Sequence, residues 1–563
     1  MTDKKWWKEA VGYQIYPKSF YDSNGDGIGD LQGIIQKLDY LADLGVNLLW
    51  LCPIYRSPMD DNGYDISDYF QISPEFGTLE DFKELLAAAK ARGMRLIMDL
   101  VLNHTSDEHP WFLDAISSKD SPYRDFYIWR PGKNGAEPTN WASFFTDSCW
   151  TKDEASGEYY MHIFSKKMPD LNWANPKMRS EYYKMARWWL DLGIDGFRID
   201  AVSHLDRDLT FTDSTLEGHG PYREDWQKFS NLPKVHDYLK EMRREVFSDY
   251  DLVTVGEVGG DAGVPEALKY AAPGEQELDM VFTFDHCWHN HGWNALEWWW
   301  ENKTDLYWLK QVFQKWQTGL YGRAWTPLYW HNHDHPRVMS QYGDAINFHK
   351  ESGKMLATVL LMMWGTPFIY NGEEIGMTNP YYYDFSEFKD PSTVKKIKRL
   401  LAEGHPEHLV RRYTQTTARD NARTPMQWNS SEFGGFSTVT PWMKPCDNYQ
   451  KINVAANQKD DSILSHYKKL IKLRKEGEYK DVIVYGDFTL IHPDHGEVYA
   501  FMRKYESRQL LVVCNFFGRQ TQVEFPGLNA INILAANYAH PKSELSKLVL
   551  RPFEALVYEV EEA

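Results

Sequence analysis

The sequence is short of several things. Cysteine is scarce: Cys52, Cys149, Cys287, Cys446 and Cys514 are all there is among 563 residues. Their odd number and wide spacing imply neither a disulfide framework nor a zinc ribbon. No apolar run approaches the roughly 20 residues that cross a bilayer, and the opening Met1–Trp7 holds no signal-peptide core. A cytoplasmic protein is the expectation, so the sequon at Asn302–Lys303–Thr304 carries little weight. Positive charge is in deficit, with 62 Lys and Arg against 80 Asp and Glu, a net −18. Such a surface repels phosphate backbones and anionic lipids, which argues against nucleic-acid and membrane partners. Gly25, Gly27 and Gly29 make no dinucleotide fingerprint and no Walker pattern occurs, so no organic cofactor is expected.

Aromatic residues are plentiful instead: 23 Trp, 34 Tyr and 28 Phe, 15% of the chain. Composition alone leaves two readings open, a large ordinary core or a surface that stacks on sugar rings. At 43% hydrophobic and 25% charged, the chain is a globular mix, long enough for two or three structural units. There is no internal repeat.

Short apolar runs alternate with amphipathic helical patterns. Val46–Leu51, Arg95–Val101, Gly196–Ala201, Asp251–Glu257, Met280–Phe284 and Thr366–Tyr370 read as buried strands. Thr78 opens a helix with apolar residues at Phe82, Leu85, Leu86 and Ala89, and further helices are expected over Lys177–Leu192 and Asp305–Trp316. That rhythm predicts an α/β fold, a (β/α)8 TIM barrel. Two regions break it. Residues 104–173 are rich in Asp, Ser, Pro, Gly and aromatics and read as a small inserted domain after the third strand. From Val482 helices are expected to vanish and short strands to form a C-terminal antiparallel β-sandwich. The expected units are 1–103 and 174–481 for the barrel, 104–173 for the insertion, and 482–563 for the sandwich.

In a βα barrel, reactive groups lie where strands end. Gly196–Asp200 ends in Arg198 and Asp200, two apart and so on one strand face. Arg198 would hold Asp200 ionised, as a nucleophile requires; a structural ion pair is the plainer alternative. Glu257 ends another strand, and Asp334 follows Leu328–His333. Glycoside hydrolysis needs two carboxylates, and a surplus of rings suits sugars.

Asp99–His104, Gly196–Asp200, Gly256–Glu257 and His333–Asp334 resemble, in order, the four sequence regions of the α-amylase family, glycoside hydrolase family 13. Met168–Asn172 resembles its fifth region in the oligo-1,6-glucosidase and α-glucosidase branch, as do Trp6–Pro17, Asp60–Tyr69 and Arg419–Trp428. The resemblance implies a retaining α-glucosidase with Asp200 as nucleophile, Glu257 as acid/base and Asp334 as transition-state stabiliser. It implies that Arg198 orients the nucleophile, His104 and His333 hold sugar hydroxyls, and Tyr64 stacks on the reacting ring. Asp61 and Arg419 would close the pocket at the non-reducing end. Phe145 and Phe164 would wall it, unless they are ordinary core residues.

The chain departs from its relatives at His331, His335 and Met168. His331, His333 and His335 alternate as metal ligands on a strand would, but Pro336 ends that strand and a sugar site fits better. Asp22, Asn24, Asp26 and Asp30 stand at positions 1, 3, 5 and 9 of a calcium-type loop, with the Ile28 carbonyl at position 7. Structural Ca2+ is expected there, although Gly33 replaces the usual bidentate Glu; an Asx-turn cluster is the alternative. Ala201 follows the expected nucleophile, where the branch typically has Val in α-1,6-specific enzymes. Its small size predicts α-1,4 preference, on maltose and maltooligosaccharides, with exo-action. The alternatives are an oligo-1,6-glucosidase and a sucrose isomerase or transglucosylase. The isomerase loop is expected beyond the acid/base, whereas its nearest likeness here, Leu205–Asp208, precedes Glu257. A non-catalytic transporter heavy chain would need a membrane span. Whether the chain acts as monomer or homodimer stays open.

Overall fold

Apolar runs buried on both faces become the staves of a closed sheet. The computed structural model describes residues 4–218, 220–288 and 304–563; Met1–Asp3 and the sequon residues Asn302 and Lys303 lie outside them. Its barrel strands are β1 (Gly12–Ile15), β2 (Leu48–Leu51), β3 (Arg95–Val101), β4 (Gly196–Asp200), β5 (Val253–Glu257), β6 (Met280–Phe282), β7 (Pro327–Leu328) and β8 (Thr366–Tyr370). They run in the order β6-β5-β4-β3-β2-β1-β8-β7, each pair parallel. The two edges meet beyond β7, where Tyr329 packs edge-on against Phe282 at 5.0 Å and donates its hydroxyl to the Thr283 carbonyl at 2.6 Å. The fold is the expected TIM barrel.

Helix starts follow their caps. Asp30 caps α1 (Leu31–Gln36) by accepting from the Gly33 amide. Thr78 and Asp81 form a capping box on α2 (Leu79–Ala91), which buries Phe82, Leu85, Leu86 and Ala89 against the barrel, the four positions its spacing picked out. Asn175 and Pro176 open α3 (Pro176–Leu192), and Asp305 caps α4 (Leu306–Leu320). After β8 the chain makes an excursion, α5 (Pro391–Ala402) and α6 (Glu407–Thr417), with its own small core of Tyr382, Phe388, Ile397, Leu400, Val410 and Ala418.

The insertion carries a three-stranded sheet, Trp129–Pro131, Glu158–Met161 and Trp150–Lys152, around Trp141, Trp150 and Ile163. Its end is tied back to the barrel by Arg207, which donates to Asn103 Oδ1 at 2.7 Å and Asp170 Oδ2 at 2.9 Å. Leu205–Asp208 is therefore a structural brace in this chain.

Helices do not vanish at Val482. Lys480–Tyr485 is helical (α7), because burial of Val482, Ile483 and Val484 decides over their β-propensity. The sandwich then forms from β9 (Thr489–Ile491), β10 (Val498–Tyr505), β11 (Arg508–Asn515), β12 (Leu528–Ala536) and β13 (Ala555–Glu562), in the order β9-β10-β11-β13-β12. Thr521–Val523 and Leu548–Leu550 pair as a second, two-stranded sheet. Strand β12 escaped the sequence reading because irregularities at Ala530/Asn532 and Ile533/Ala535 break its alternation. Lys310 of α4 reaches across to this domain, donating to the carbonyls of His492 (2.9 Å), His495 (2.7 Å) and Val498 (3.3 Å).

Candidate active site

The period of two along β4 puts Arg198 and Asp200 side by side. Arg198 is almost fully buried, and one of its nitrogens donates to Asp200 Oδ1 and Asp99 Oδ1, both at 2.6 Å. Its other terminal nitrogen contacts Glu257 at the end of β5. One guanidinium thus gathers three carboxylates from β3, β4 and β5. Asp99 also accepts from Trp50 Nε1 at 2.7 Å, yet burial pushes its carboxyl up to about 7 against the pull of Arg198. Burial likewise raises Asp200 above the usual carboxylate range, with Arg198 opposing it.

Asp334 is not at a strand end. Strand β7 stops at Leu328, and Asp334 sits six residues on, held by side chains rather than by the sheet. Its Oδ1 accepts from Arg419 Nε (2.7 Å) and Arg423 Nη2 (3.0 Å), and Oδ2 lies 3.2 Å from His333 Nε2. Burial works to raise this carboxyl, but Arg419, His333 and Arg423 outweigh it and hold it well below its ordinary value. Arg419 also lies 3.6 Å from Asp61 Oδ1, an oxygen that accepts no hydrogen bond within the described residues. Burial pushes Asp61 up to about 7.

The rings expected at the site lie together. Tyr64 stacks on His333 at 5.2 Å with planes 5° apart, and its buried hydroxyl has no protein partner among the described residues. His333 Nδ1 meets Gln14 Nε2 at 3.0 Å, which fixes the ring's other nitrogen towards Asp334. His104 contacts the Tyr64 carbonyl through Nε2 at 3.3 Å, and burial lowers its pKa to about 4. Phe164 meets His104 edge-on at 5.3 Å, and Phe145 lies 5.3 Å from both Phe164 and the Arg419 guanidinium. Ala201, just past β4, is buried with φ 46° and ψ 34°, in the left-handed region.

Some residues were missed or misread. Asp99 and Arg423 stand inside quoted motifs but were not singled out; Arg423 is four residues after Arg419, a spacing that puts two cations near each other. Asp390 precedes Pro391, a helix-start signal, yet nothing local says that its carboxylate also reaches Arg419 and Arg423. The alternate-histidine strand does not exist: residues 331–335 are irregular, His331 Nδ1 lies 3.3 Å from Glu373 Oε2, and His333 faces Tyr64 and Asp334. Met168 is buried in the core.

The calcium-type loop lies after β1, away from these carboxylates. Asp22 accepts from the amides of Asn24, Gly25 and Gly27, Asn24 from that of Asp26, and Asp26 from that of Ile28. Asp30 is engaged by Ser23 and by the Gly33 amide. Among the described residues no group of three or more His, Cys, Asp or Glu side chains is arranged to hold a metal ion. The loop's oxygens, from three Asp, one Asn and the Ile28 carbonyl, are the hard donors that suit calcium.

Among the described residues, no helix is long and apolar enough to cross a membrane. Residues 14–486 match the family model for the alpha amylase catalytic domain, and residues 488–557 that for the maltogenic amylase C-terminal domain. The chain is 50% identical to an oligo-1,6-glucosidase of Halalkalibacterium halodurans over 560 residues, 98% of this chain and 99% of the relative. It is 45% identical to the trehalose-6-phosphate hydrolase of Bacillus subtilis, over 98% of each chain. It also superposes on the crystal structure of isomaltulose synthase from Klebsiella sp. LX3 with a TM-score of 0.94 at 39% identity, covering 99% of this chain and 100% of that one. With barrel, insertion, sandwich and clustered carboxylates in place, the chain belongs to the α-amylase family of glycoside hydrolases, in its oligo-1,6-glucosidase and α-glucosidase branch.

Proposed function

We propose that the protein is a retaining, exo-acting α-glucosidase that removes single glucose units from the non-reducing end of short α-glucosides. The observation that carries this reading is the shared guanidinium: Arg198 holds both Asp200 and Glu257 and so brings the two carboxyls to one place, and a retaining pair stands about 5–5.5 Å apart. Asp200 attacks the anomeric carbon while Glu257 protonates the departing oxygen; water, deprotonated by Glu257, then releases the sugar with its configuration retained. Asp334, kept ionised by two arginines, faces the positive charge that develops in between. Tyr64 supplies a stacking face, and we read His104 and His333, beside it, as the residues that meet sugar hydroxyls by sharing nitrogens now bonded to the Tyr64 carbonyl and Asp334. We read Asp61 and Arg419, with Phe145 and Phe164 nearby, as closing the pocket beyond the sugar that is released. The substrate is a small oligosaccharide. Proton NMR of the first product should show α-glucose, and maltooligosaccharides should shed glucose singly while starch reacts poorly. β-Glucose first, or mixed oligomers from starch, would overturn the mechanism or the pocket.

Linkage preference rests on Ala201. A Val there adds two methyl groups against a leaving sugar held close by an α-1,4 bond, and such a change shifts discrimination by about 1–3 kcal/mol. We therefore read the enzyme as favouring maltose over isomaltose. The relatives named oligo-1,6-glucosidase support the opposite preference, and kcat/KM on the two disaccharides decides between them. Ala201→Val should lower the maltose-to-isomaltose ratio. Because φ is positive there, the β-branch adds to a backbone strain that the alanine Cβ already bears. Its Tm must be measured beside its kinetics. An unchanged ratio removes Ala201 from the account.

The same reading assigns a structural Ca2+ to the loop of Asp22, Asn24, Asp26, the Ile28 carbonyl and Asp30. Chelation should lower Tm without changing kcat, and added calcium should restore it. A cytoplasmic setting agrees with five free, buried cysteines.

A further inference from the structure

The excursion α5–α6 begins at Asp390 and ends just before Arg419, and these two residues meet: Arg419 Nη1 donates to Asp390 Oδ2 at 3.1 Å. Arg423 Nη1 donates to the same oxygen, also at 3.1 Å. Both arginines turn their other nitrogens to Asp334 Oδ1. Asp390, Arg419, Asp334 and Arg423 therefore close a ring of alternating charge. We propose that Asp390 is a positioning residue of the active site, whose carboxylate aims Arg419 and Arg423 together at Asp334. The inference rests on the glucosidase reading and adds to it the part that keeps the stabilising carboxylate oriented.

The two oxygens of Asp390 divide the work. Oδ1 caps α5, accepting from the Thr393 amide at 3.0 Å and Ser392 Oγ at 2.5 Å, which leaves Oδ2 to the arginines. The backbone beneath is pinned in turn. Asp420 Oδ1 accepts from the amides of Lys389 (2.6 Å) and Asp390 (3.0 Å), so the residue after Arg419 fixes where Asp390 stands. Asp390 is only 2% exposed and Arg423 1%. Two buried guanidinia side by side repel one another, and a carboxylate behind them offsets that repulsion while one in front faces the sugar. Arg423 donates its Nε to the His333 carbonyl at 3.0 Å, which extends the same frame to the residue before Asp334. Without Asp390, buried N–H groups on both arginines lose their acceptor, and the side chains have reason to turn from Asp334.

An ordinary helix cap and ion pair would use the same contacts, so the test must separate aim from stability. Asp390→Ser keeps a capping oxygen and removes the charge between the arginines. With p-nitrophenyl α-D-glucoside as substrate, its kcat/KM should fall about 100-fold. Sodium formate, a carboxylate of the missing size, should restore part of that loss and raise the variant's Tm, while doing neither to the native protein. Asp390→Glu, which keeps the charge, should lose less than Asp390→Ser. A serine variant that retains more than half its kcat/KM overturns the proposal. So does one whose loss tracks a fall in Tm and ignores formate. A native protein inactive on α-glucosides overturns the functional reading instead, and the Tm response to formate then still reports whether Asp390 fills a two-arginine cradle.

Discussion

Two nests of charge make up the candidate site and are built differently. In the first, a single arginine, Arg198, serves Asp99, Asp200 and Glu257. In the second, Arg419 and Arg423 serve Asp334 and Asp390, with Asp61 at the margin. In the cation-poor nest burial raises Asp99, to about 7, and Asp200, whereas in the cation-rich nest Asp334 and Asp390 are held below their ordinary values. Direct contact with two guanidinia decides the direction, because desolvation acts on every one of these carboxylates; Asp61, 3.6 Å from Arg419, is raised to about 7. The difference suits the chemistry. A nucleophile gains from a less stabilised negative charge, and a group that must face a cation throughout the reaction gains from staying ionised.

The sharpest way to break the comparison is Asp200→Asn. It changes one oxygen and no volume, so kcat should fall roughly 10⁴-fold or more with little change in Tm. Activity left within a hundredfold of native would mean that the first nest does not hold the nucleophile. Asp334→Asn comes next. Loss of a preorganised charge should lower kcat by about 10²–10³-fold and leave KM within a few-fold, whereas a KM effect alone would recast Asp334 as a simple binding group. Arg198→Lys should cost about 10²-fold in kcat/KM, since one ammonium cannot span three carboxylates from three strands. Near-native activity would show that the nest tolerates a point charge. The smallest effect expected is in the pH profile. Asp61 takes up a proton as pH falls through about 7 and then no longer serves as an anionic acceptor, while Asp334 stays ionised far lower. KM should therefore rise several-fold on the acid side, with kcat falling on the same side as the raised Asp99 and Asp200 carboxyls take up protons; a kcat/KM that stays flat as pH falls through about 7 would contradict this assignment.

Much of the first nest was legible in the sequence, and little of the second. Strand periodicity alone places Arg198 beside Asp200, and the ends of β4 and β5 bring Asp200 and Glu257 to one guanidinium. Asp334 was found by resemblance but misplaced, because the short β7 ends long before it and Arg419 and Arg423 supply the support that a strand would have given. Asp390 carries a local signal for a helix start and none for its distant partners, since ion pairs across 29 and 33 residues of sequence leave no periodic trace. The left-handed backbone at Ala201 was equally hidden: alanine is not a residue that announces positive φ. In the sandwich, bulges erased the alternation that marks a strand, and at Val482–Tyr485 burial overruled propensity.

Lys310 has a consequence for how this protein tolerates change. Its ammonium is met by three main-chain carbonyls, at residues 492, 495 and 498, and the groups that satisfy it belong to no particular side chain. The contact itself therefore sets no demand on side-chain identity at those positions, while it does fix the length of the turn: one residue added or lost between 492 and 498 moves an oxygen away from a buried nitrogen. A foreign C-terminal module will seat on this barrel only if its own turn has the same count. Compatibility between the two halves is written in spacing rather than in spelling.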